Sequence, residues 1–183
     1  MKARIESNKM STPSAKLSVL VGKGFACVKI SGRANFSFSP DFKTLLTELN
    51  QKGYNHIIID LSECVLMDST FLGVLAGFGL NSSQGGKPGK CEIELLNPST
   101  RISELLENLG VLPLFKVADN APPLPADTKV AASEPINPTQ EQITRTCLEA
   151  HQTLMSLNPE NAARFKDVAQ FLAEDLKNLE KPS

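Results

Sequence analysis

The chain has 183 residues, of which 41% are hydrophobic, and 19 basic against 20 acidic residues give it a formal net charge of -1. This length accommodates one ordinary domain with an appendage, and the hydrophobic fraction is sufficient for a packed core. The charge balance argues against a protein that binds nucleic acid, which needs a basic excess on some surface. The longest apolar run, residues 71–80, is too short to cross a bilayer, so we expect a cytoplasmic protein without direct membrane insertion.

The cysteines and histidines do not form a pattern typical of a metal site or a disulfide framework. The four cysteines are far apart and lie mostly in apolar stretches, which favours buried, reduced thiols. His56 and His151 have no carboxylate or cysteine at ligand spacing, and no catalytic triad follows from their positions. We therefore expect structural or surface histidines, no cofactor and no enzymatic activity.

A disordered leader is predicted for residues 1–15, which are polar and lack periodicity. Two short apolar runs, 17–21 and 25–31, follow it. Gly22-Lys23-Gly24 separates the runs, an arrangement typical of a β-hairpin. Residues 32–36 are predicted to leave the second strand as a loop.

A helix and a buried strand are predicted next. Ser39-Pro40 places proline in a first helical turn, and the apolar residues after it recur at helical spacing up to Leu49. The run Ile57-Ile58-Ile59 has no polar residue to alternate with, which is typical of a strand buried on both faces. We predict that this strand spans residues 55–61.

The segment Asp68-Ser69-Thr70 supplies three residues that favour helix starts, directly before an apolar run that begins at Phe71. A helix is therefore predicted from Ser69 to about residue 80. The serine hydroxyl would lie at the positive end of this helix, where backbone N–H groups stabilise an anionic substituent. Small residues such as Gly77 are predicted to let the helix approach the sheet closely, so that Gly77→Leu would overpack the domain.

The sequence of the remainder of the domain predicts strands that alternate with helices. Alternation over 91–96 indicates a strand with one solvated face, Asn97-Pro98 indicates a helix start, Gly110 ends that helix, and 114–117 forms a last strand. The fold class is therefore α/β, a small mixed β-sheet with right-handed crossover helices. We place this domain at residues 16–118.

Composition changes after the domain. Residues 119–138 are rich in proline and predict a semi-rigid linker. A helical hairpin is predicted for 139–181, because Thr139–Gln142 fits a capping box and Asn158-Pro159 starts a second helix. Each helix carries an apolar stripe. We expect the hairpin to pack on the domain's own sheet or on its twin in a homodimer, in preference to a dedicated partner-binding role.

Two segments in the middle of the chain carry a family resemblance. Ile57-Ile58-Ile59-Asp60-Leu61-Ser62 is followed, after a short interval, by Met67-Asp68-Ser69-Thr70-Phe71-Leu72-Gly73. This succession resembles the STAS domain of bacterial anti-sigma factor antagonists, which typically reads D-L-S and then D-S-[ST]-G-L-G. The stretch 105–111 is similar to the family's last helix and its exit. The resemblance extends over about residues 16–118.

The resemblance implies a regulatory protein–protein interaction domain in a partner-switching pathway of transcription regulation. In the antagonists, the first hydroxyl residue after the motif aspartate is phosphorylated by the anti-sigma factor kinase, and here that position is Ser69. The unphosphorylated domain binds the anti-sigma factor, the phosphorylated domain releases it, and a phosphatase resets it. The residues expected around the docking surface are Asp68, Thr70, Phe71 and Asn35.

Two of these residues depart from the family pattern. Phe71 takes the place of a glycine, so a large aromatic residue is expected in the docking surface. Asn35 takes a place where the family often has an aspartate, and its amide keeps hydrogen-bonding capacity without the charge.

A second hypothesis is a STAS scaffold that does not switch, such as a small subunit of a lipid-transport ATPase complex. Its permanent contact would be the C-terminal hairpin or Phe71. The chemistry of Ser69 separates the two hypotheses, because only the regulatory protein requires phosphorylation there.

Overall fold

The structure is a computed structural model that describes residues 15–83, 91–120, 129–131 and 137–180. Its strands are β1 (Lys16–Val21), β2 (Phe25–Ala34), β3 (His56–Met67), β4 (Glu92–Leu96), β5 (Lys116–Ala118) and β6 (Lys129–Ala131). Its helices are α1 (Ser39–Gln51), α2 (Ser69–Ser83), α3 (Thr100–Asn108), α4 (Gln140–Leu157) and α5 (Pro159–Leu179). Short 3-10 turns lie at Phe36–Phe38 and Leu112–Leu114. Residues 1–14 of the predicted leader, residues 84–90 after α2 and most of the predicted linker fall outside the described residues.

The six strands of the described chain form one mixed sheet in the order β5-β4-β3-β2-β1-β6. β1 pairs antiparallel with β2 across the predicted hairpin, whose Gly24 has a φ of 81° that glycine adopts readily. The strands from β2 to β5 run parallel to one another. The predicted α/β class with a small mixed sheet and crossover helices is confirmed.

The two central strands are longer than the sequence predicts. β2 continues through the predicted loop to Ala34, and β3 continues six residues past its predicted end to Met67. β4 pairs with β3 only at residues 56–60, so the extension is a two-stranded ribbon, with shifts of register between Lys29 and Ser31 and between Gly32 and Arg33. Because of these shifts, the residues of the ribbon do not show the strict alternation of polar and apolar residues by which a strand is predicted. Because the paired strands are parallel, their carboxyl ends meet at one place.

Part of the predicted linker is ordered as a strand. Lys129–Ala131 forms β6 and pairs antiparallel with Val19–Val21 of β1. The edge of β1 otherwise offers unpaired backbone groups, and the β-branched Val130 suits an edge strand. The domain boundaries at 118 and 139 stay predictions.

The two C-terminal helices form as predicted. The hydroxyl of Thr139 accepts a hydrogen bond from the Gln142 amide while the Gln142 side chain accepts one from the Thr139 amide. Asn158 caps α5 by accepting a bond from the Glu160 amide. The prediction that the hairpin packs on the sheet is wrong for the chain itself, because α4 lies against α1 and α2. Leu154 joins the main hydrophobic core through this contact.

Gly73 of α2 allows α4 to lie close to this helix. A Cβ added at Gly73 would lie 2.5 Å from the carbonyl oxygen of Ala150, whereas one added at Gly77 would meet nothing nearer than Thr153 at 4.0 Å. These residues face α4 and not the sheet, so the reason given for overpacking by Gly77→Leu is wrong. Among the described residues, no helix combines the length and the apolarity needed to span a bilayer.

Candidate functional site

The N-terminus of α2 lies directly after the β2–β3 ribbon and is capped by Asp68. One oxygen of its carboxylate accepts a hydrogen bond from the Phe71 amide at 2.8 Å, and its carbonyl accepts one from the Leu72 amide. The other carboxylate oxygen accepts a bond from the Phe36 amide at 2.7 Å. The Asp68 amide itself donates to the Ala34 carbonyl. One side chain therefore fixes the start of α2 to the end of β2.

Burial dominates the electrostatics of this cap. It raises the pKa of the Asp68 carboxyl above its ordinary value, because desolvation penalises the charged form. The bonds from the Phe71 and Phe36 amides favour the carboxylate and offset part of this effect. Asp68 is thus a capping residue that bears a partly desolvated charge.

The side chain of Ser69 does not cap the helix. Its hydroxyl lies 3.1 Å from Nε2 of His151 on α4. His151 Nδ1 lies 2.8 Å from the Cys147 carbonyl, which can only accept, so Nδ1 carries a proton and donates it to that carbonyl. The His151 ring is 6% exposed and packs on Phe165 at 5.0 Å.

Sequence reasoning missed the role of His151. The signal that was present is its position four residues after Cys147, on the same helical face as the predicted apolar stripe. Its partner Ser69 is 82 residues away in the chain, a pairing that no local pattern encodes.

Thr70 lies under α4. It is 4% exposed, and its hydroxyl contacts Sγ of Cys147 at 3.7 Å. Burial raises the pKa of the Cys147 thiol, which stays protonated at neutral pH. The prediction that Thr70 belongs to an open docking surface is therefore wrong in this arrangement, because α4 covers it.

Phe71 is a core residue. It is fully buried, and its ring stacks on Phe42 of α1 at a centroid distance of 4.3 Å and an interplanar angle of 19°. The prediction that this aromatic residue lies in the docking surface is wrong. The third residue of α2 points towards α1, where a large apolar side chain is stabilised by burial.

Asn35 lies beside Asp68 at the end of β2. It is half-buried, and its side-chain oxygen accepts a hydrogen bond from the Ser37 hydroxyl at 2.6 Å. Asn35 thereby shapes the 3-10 turn that presents the Phe36 amide to Asp68. Phe36 has an exposed fraction of 51%, and sequence reasoning missed this aromatic residue, whose backbone amide binds Asp68.

The arrangement places a serine hydroxyl within hydrogen-bond distance of a histidine ring. Ser69 and His151 form a hydrogen-bonded pair, but Nδ1 of the histidine faces a backbone carbonyl where a triad has a carboxylate. Within the described residues, no three His, Cys, Asp or Glu side chains come together as metal ligands. What the site presents is a serine at a helix N-terminus, where backbone dipoles favour an anion.

Comparison with known proteins identifies the fold. A family model described as the STAS domain matches residues 16–122. The chain belongs to the STAS domain family. It is 32% identical over 90 residues to an anti-sigma-B factor antagonist of Staphylococcus aureus strain NCTC 8325 / PS 47, a match that covers 49% of this chain and 80% of the relative. The antagonist of strain COL matches to the same extent.

Two solved structures are also similar. The unphosphorylated form of the anti-sigma factor antagonist SpoIIAA is 18% identical, with a TM-score of 0.46, over 58% of this chain and 89% of the other. The phosphorylated form of SpoIIAA, described as a Bacillus cell fate determinant, is 19% identical, with a TM-score of 0.43, over 58% and 92%. The STAS family predicted from the sequence is confirmed, and the chain is an anti-sigma factor antagonist-like STAS domain.

Proposed function

We propose that this protein is a non-enzymatic regulator that binds a protein partner beside the N-terminus of α2 and is switched by phosphorylation of Ser69. The observation that carries the proposal is the division of roles between neighbours. Asp68 alone caps α2 through its side chain, which leaves the Ser69 hydroxyl without a backbone role. A modification there can alter recognition without removing the helix cap.

The effect of a phosphoryl group follows from its charge. It adds about -1.5 to -2 units next to the Asp68 carboxylate. The N-terminus of α2 tolerates an anion at this position. This added charge would repel a partner that docks closely on a neutral hydroxyl.

The docking surface is proposed to centre on Ser69, Asn35 and the exposed ring of Phe36. Asp68 contributes by holding the Phe36 amide and hence the 3-10 turn. The relatives named as anti-sigma-B factor antagonists support an anti-sigma factor as the partner, and we propose that this partner also carries the serine kinase activity. A phosphatase would reverse the modification, and the pathway would operate in the cytoplasm.

The experiment is quantitative affinity capture of the tagged full chain from its native cells. We expect the partner to be recovered with wild type and lost with Ser69→Asp. Ser69→Asn is the neutral control of equal size. Ser99→Asp is the charge control, because Ser99 is an exposed N-cap on α3 where aspartate is also favourable. Recovery of the partner with Ser69→Asp at the wild-type level would contradict the proposal.

One observation favours the second candidate, a non-switching STAS scaffold of a lipid-transport ATPase complex. The Ser69 hydroxyl is engaged by a buried histidine of the chain's own C-terminal hairpin, which suits a permanent arrangement. Co-purification with an ATP-hydrolysing membrane complex that is unaffected by Ser69→Asp would establish the scaffold.

A homodimer through the hairpin also stays a proposal. The inner face of α4 is buried within the chain, so a dimer would use the outer face of α5. Val168 and Phe171 are exposed there at 43% and 67%. Sedimentation of wild type and of Phe171→Ser compares the oligomeric states.

A further inference from the structure

The C-terminal hairpin, defined as α4 and α5, covers the N-terminal end of α2 with successive contacts. Ser69 meets His151 at 3.1 Å, and Thr70 meets Cys147 at 3.7 Å. One turn further along, the backbone of α4 rests on Gly73. The surface that carries the serine is therefore occupied by a segment of the same chain.

We propose that the hairpin is an autoinhibitory cover, which restricts the access of a kinase to Ser69 and is displaced by a phosphoryl group on Ser69. The inference deepens the proposed function and rests on it, because it takes Ser69 as the modified residue. It adds a competition within the chain that the STAS domain alone does not have.

A phosphoryl group does not fit into the closed arrangement. The Ser69 oxygen and Nε2 of His151 are already at hydrogen-bond distance, and the His151 ring is buried against Phe165. Phosphorylation replaces the hydroxyl proton with a bulky tetrahedral anion, and the 3.1 Å between Ser69 Oγ and Nε2 leaves no room for it between the serine and the histidine ring. The carboxylate of the adjacent Asp68 adds like-charge repulsion. The segment of α4 around His151 must move away.

The same contacts restrict access before modification. A kinase must bring the hydroxyl of its substrate to a phosphoryl donor. The Ser69 hydroxyl is hydrogen-bonded to His151 of α4. The hairpin must therefore open for Ser69 to react. An open state of low population is enough, because local opening costs less free energy than global unfolding.

A second set of contacts holds the hairpin to the domain at the α4–α5 turn and does not involve Ser69. The buried side chain of Asn161 donates hydrogen bonds to the carbonyls of Leu109 and Leu154, both at 2.9 Å. We therefore expect phosphate to loosen the Cys147–His151 part of α4 more than the turn.

Cys147 is a built-in reporter of this opening. Cys147 is 7% exposed and its thiol contacts Thr70, whereas Cys27 and Cys64 are buried residues of β2 and β3. Treatment of the full chain with N-ethylmaleimide, followed by site-resolved mass spectrometry, gives a labelling rate for each cysteine. The variants are wild type, Ser69→Asp, the neutral Ser69→Asn and the distant charge control Ser99→Asp.

We expect Ser69→Asp to label Cys147 about ten times faster than wild type does, a factor that corresponds to about 1.4 kcal/mol. Ser69→Asn should have a smaller effect, and Ser99→Asp should have none. Labelling of Cys27 and Cys64 should not change. A Cys147 rate in Ser69→Asp equal to that of wild type would overturn the inference. An equal rise at Cys27 would also overturn it, because the hairpin would then have no separate opening.

Wild type supplies a second test that needs no substitution. In low concentrations of urea, we expect the Cys147 rate to depend weakly on urea and the Cys27 rate to depend steeply, because a local opening exposes less surface. Equal slopes would contradict a separately opening hairpin. Neither labelling test requires phosphate or a partner. Lack of phosphate on Ser69 in native cells would instead contradict the proposed function. The opening of the hairpin could still be measured by cysteine labelling.

Discussion

Gly73 of α2 lies directly against Ala150 of α4, so closely that an added Cβ would fall 2.5 Å from the Ala150 carbonyl oxygen. This contact sets how near the hairpin comes to the Ser69 end of α2. Glycine at this position costs about 1 kcal/mol in helix propensity relative to alanine, and the close packing of α4 offsets that cost.

We expect Gly73→Ala to destabilise the protein by about 1–2 kcal/mol, because the overpacked α4 must shift. Gly77→Ala is the matched control on the same helix, since its new methyl group would meet nothing within about 4 Å. Urea unfolding followed by circular dichroism measures both. A Gly73→Ala protein as stable as Gly77→Ala would mean that α4 does not lie on α2 as described.

Phe71 should matter for stability and not for recognition. Truncation by Phe71→Ala removes a fully buried ring stacked on Phe42, and we expect a loss of about 3–5 kcal/mol. Phe71→Leu keeps most of the volume and should cost clearly less. Thermal denaturation measures both variants. A Phe71→Ala protein with wild-type stability would mean that Phe71 is not a core residue.

Phe36 should show the opposite behaviour. Phe36 is half exposed and its amide binds Asp68, so Phe36→Ala, which keeps that amide, should change stability by no more than about 0.5 kcal/mol. Loss of the exposed aromatic contact should weaken partner capture at least several-fold. Val117→Ala, at another exposed apolar position in β5, is the control and should leave capture unchanged. Equal capture with Phe36→Ala and wild type would place the partner elsewhere.

The pH dependence of stability should carry the signature of Asp68. Burial raises the pKa of this carboxyl in the folded state, so the folded state binds the proton more tightly than the unfolded state does. The contribution of Asp68 is therefore fully present below its unfolded pKa of about 4 and is lost as pH rises through the folded value.

The measurement is the free energy of unfolding of wild type and Asp68→Asn from acidic to neutral pH. We expect the advantage of wild type over Asp68→Asn to be largest at acidic pH and to shrink as pH rises. An advantage that grows with pH would mean that the two amide bonds outweigh desolvation at this site.

Local patterns were enough to predict most elements of this fold. Proline and asparagine mark the start of α5, the capping box marks α4, and the isoleucine run marks the buried part of β3. The ribbon beyond residue 61 escaped prediction because its register shifts break the alternation on which strand prediction depends. The contact between Ser69 and His151 was also not predicted, because these residues are far apart in the chain and meet only through the packing of α4 on α2. Phe71 was misplaced because the sequence alone did not say which face of α2 turns towards α1.

Phosphorylation of Ser69 is the central claim, and phosphopeptide mapping of the full chain isolated from its native cells tests it most directly. The account predicts phosphate on Ser69 in a fraction of molecules that changes with growth conditions, and little or none on Thr70, which α4 and the core keep buried. A chain that is unmodified at Ser69 under every condition, including those in which its partner is released, would contradict the account.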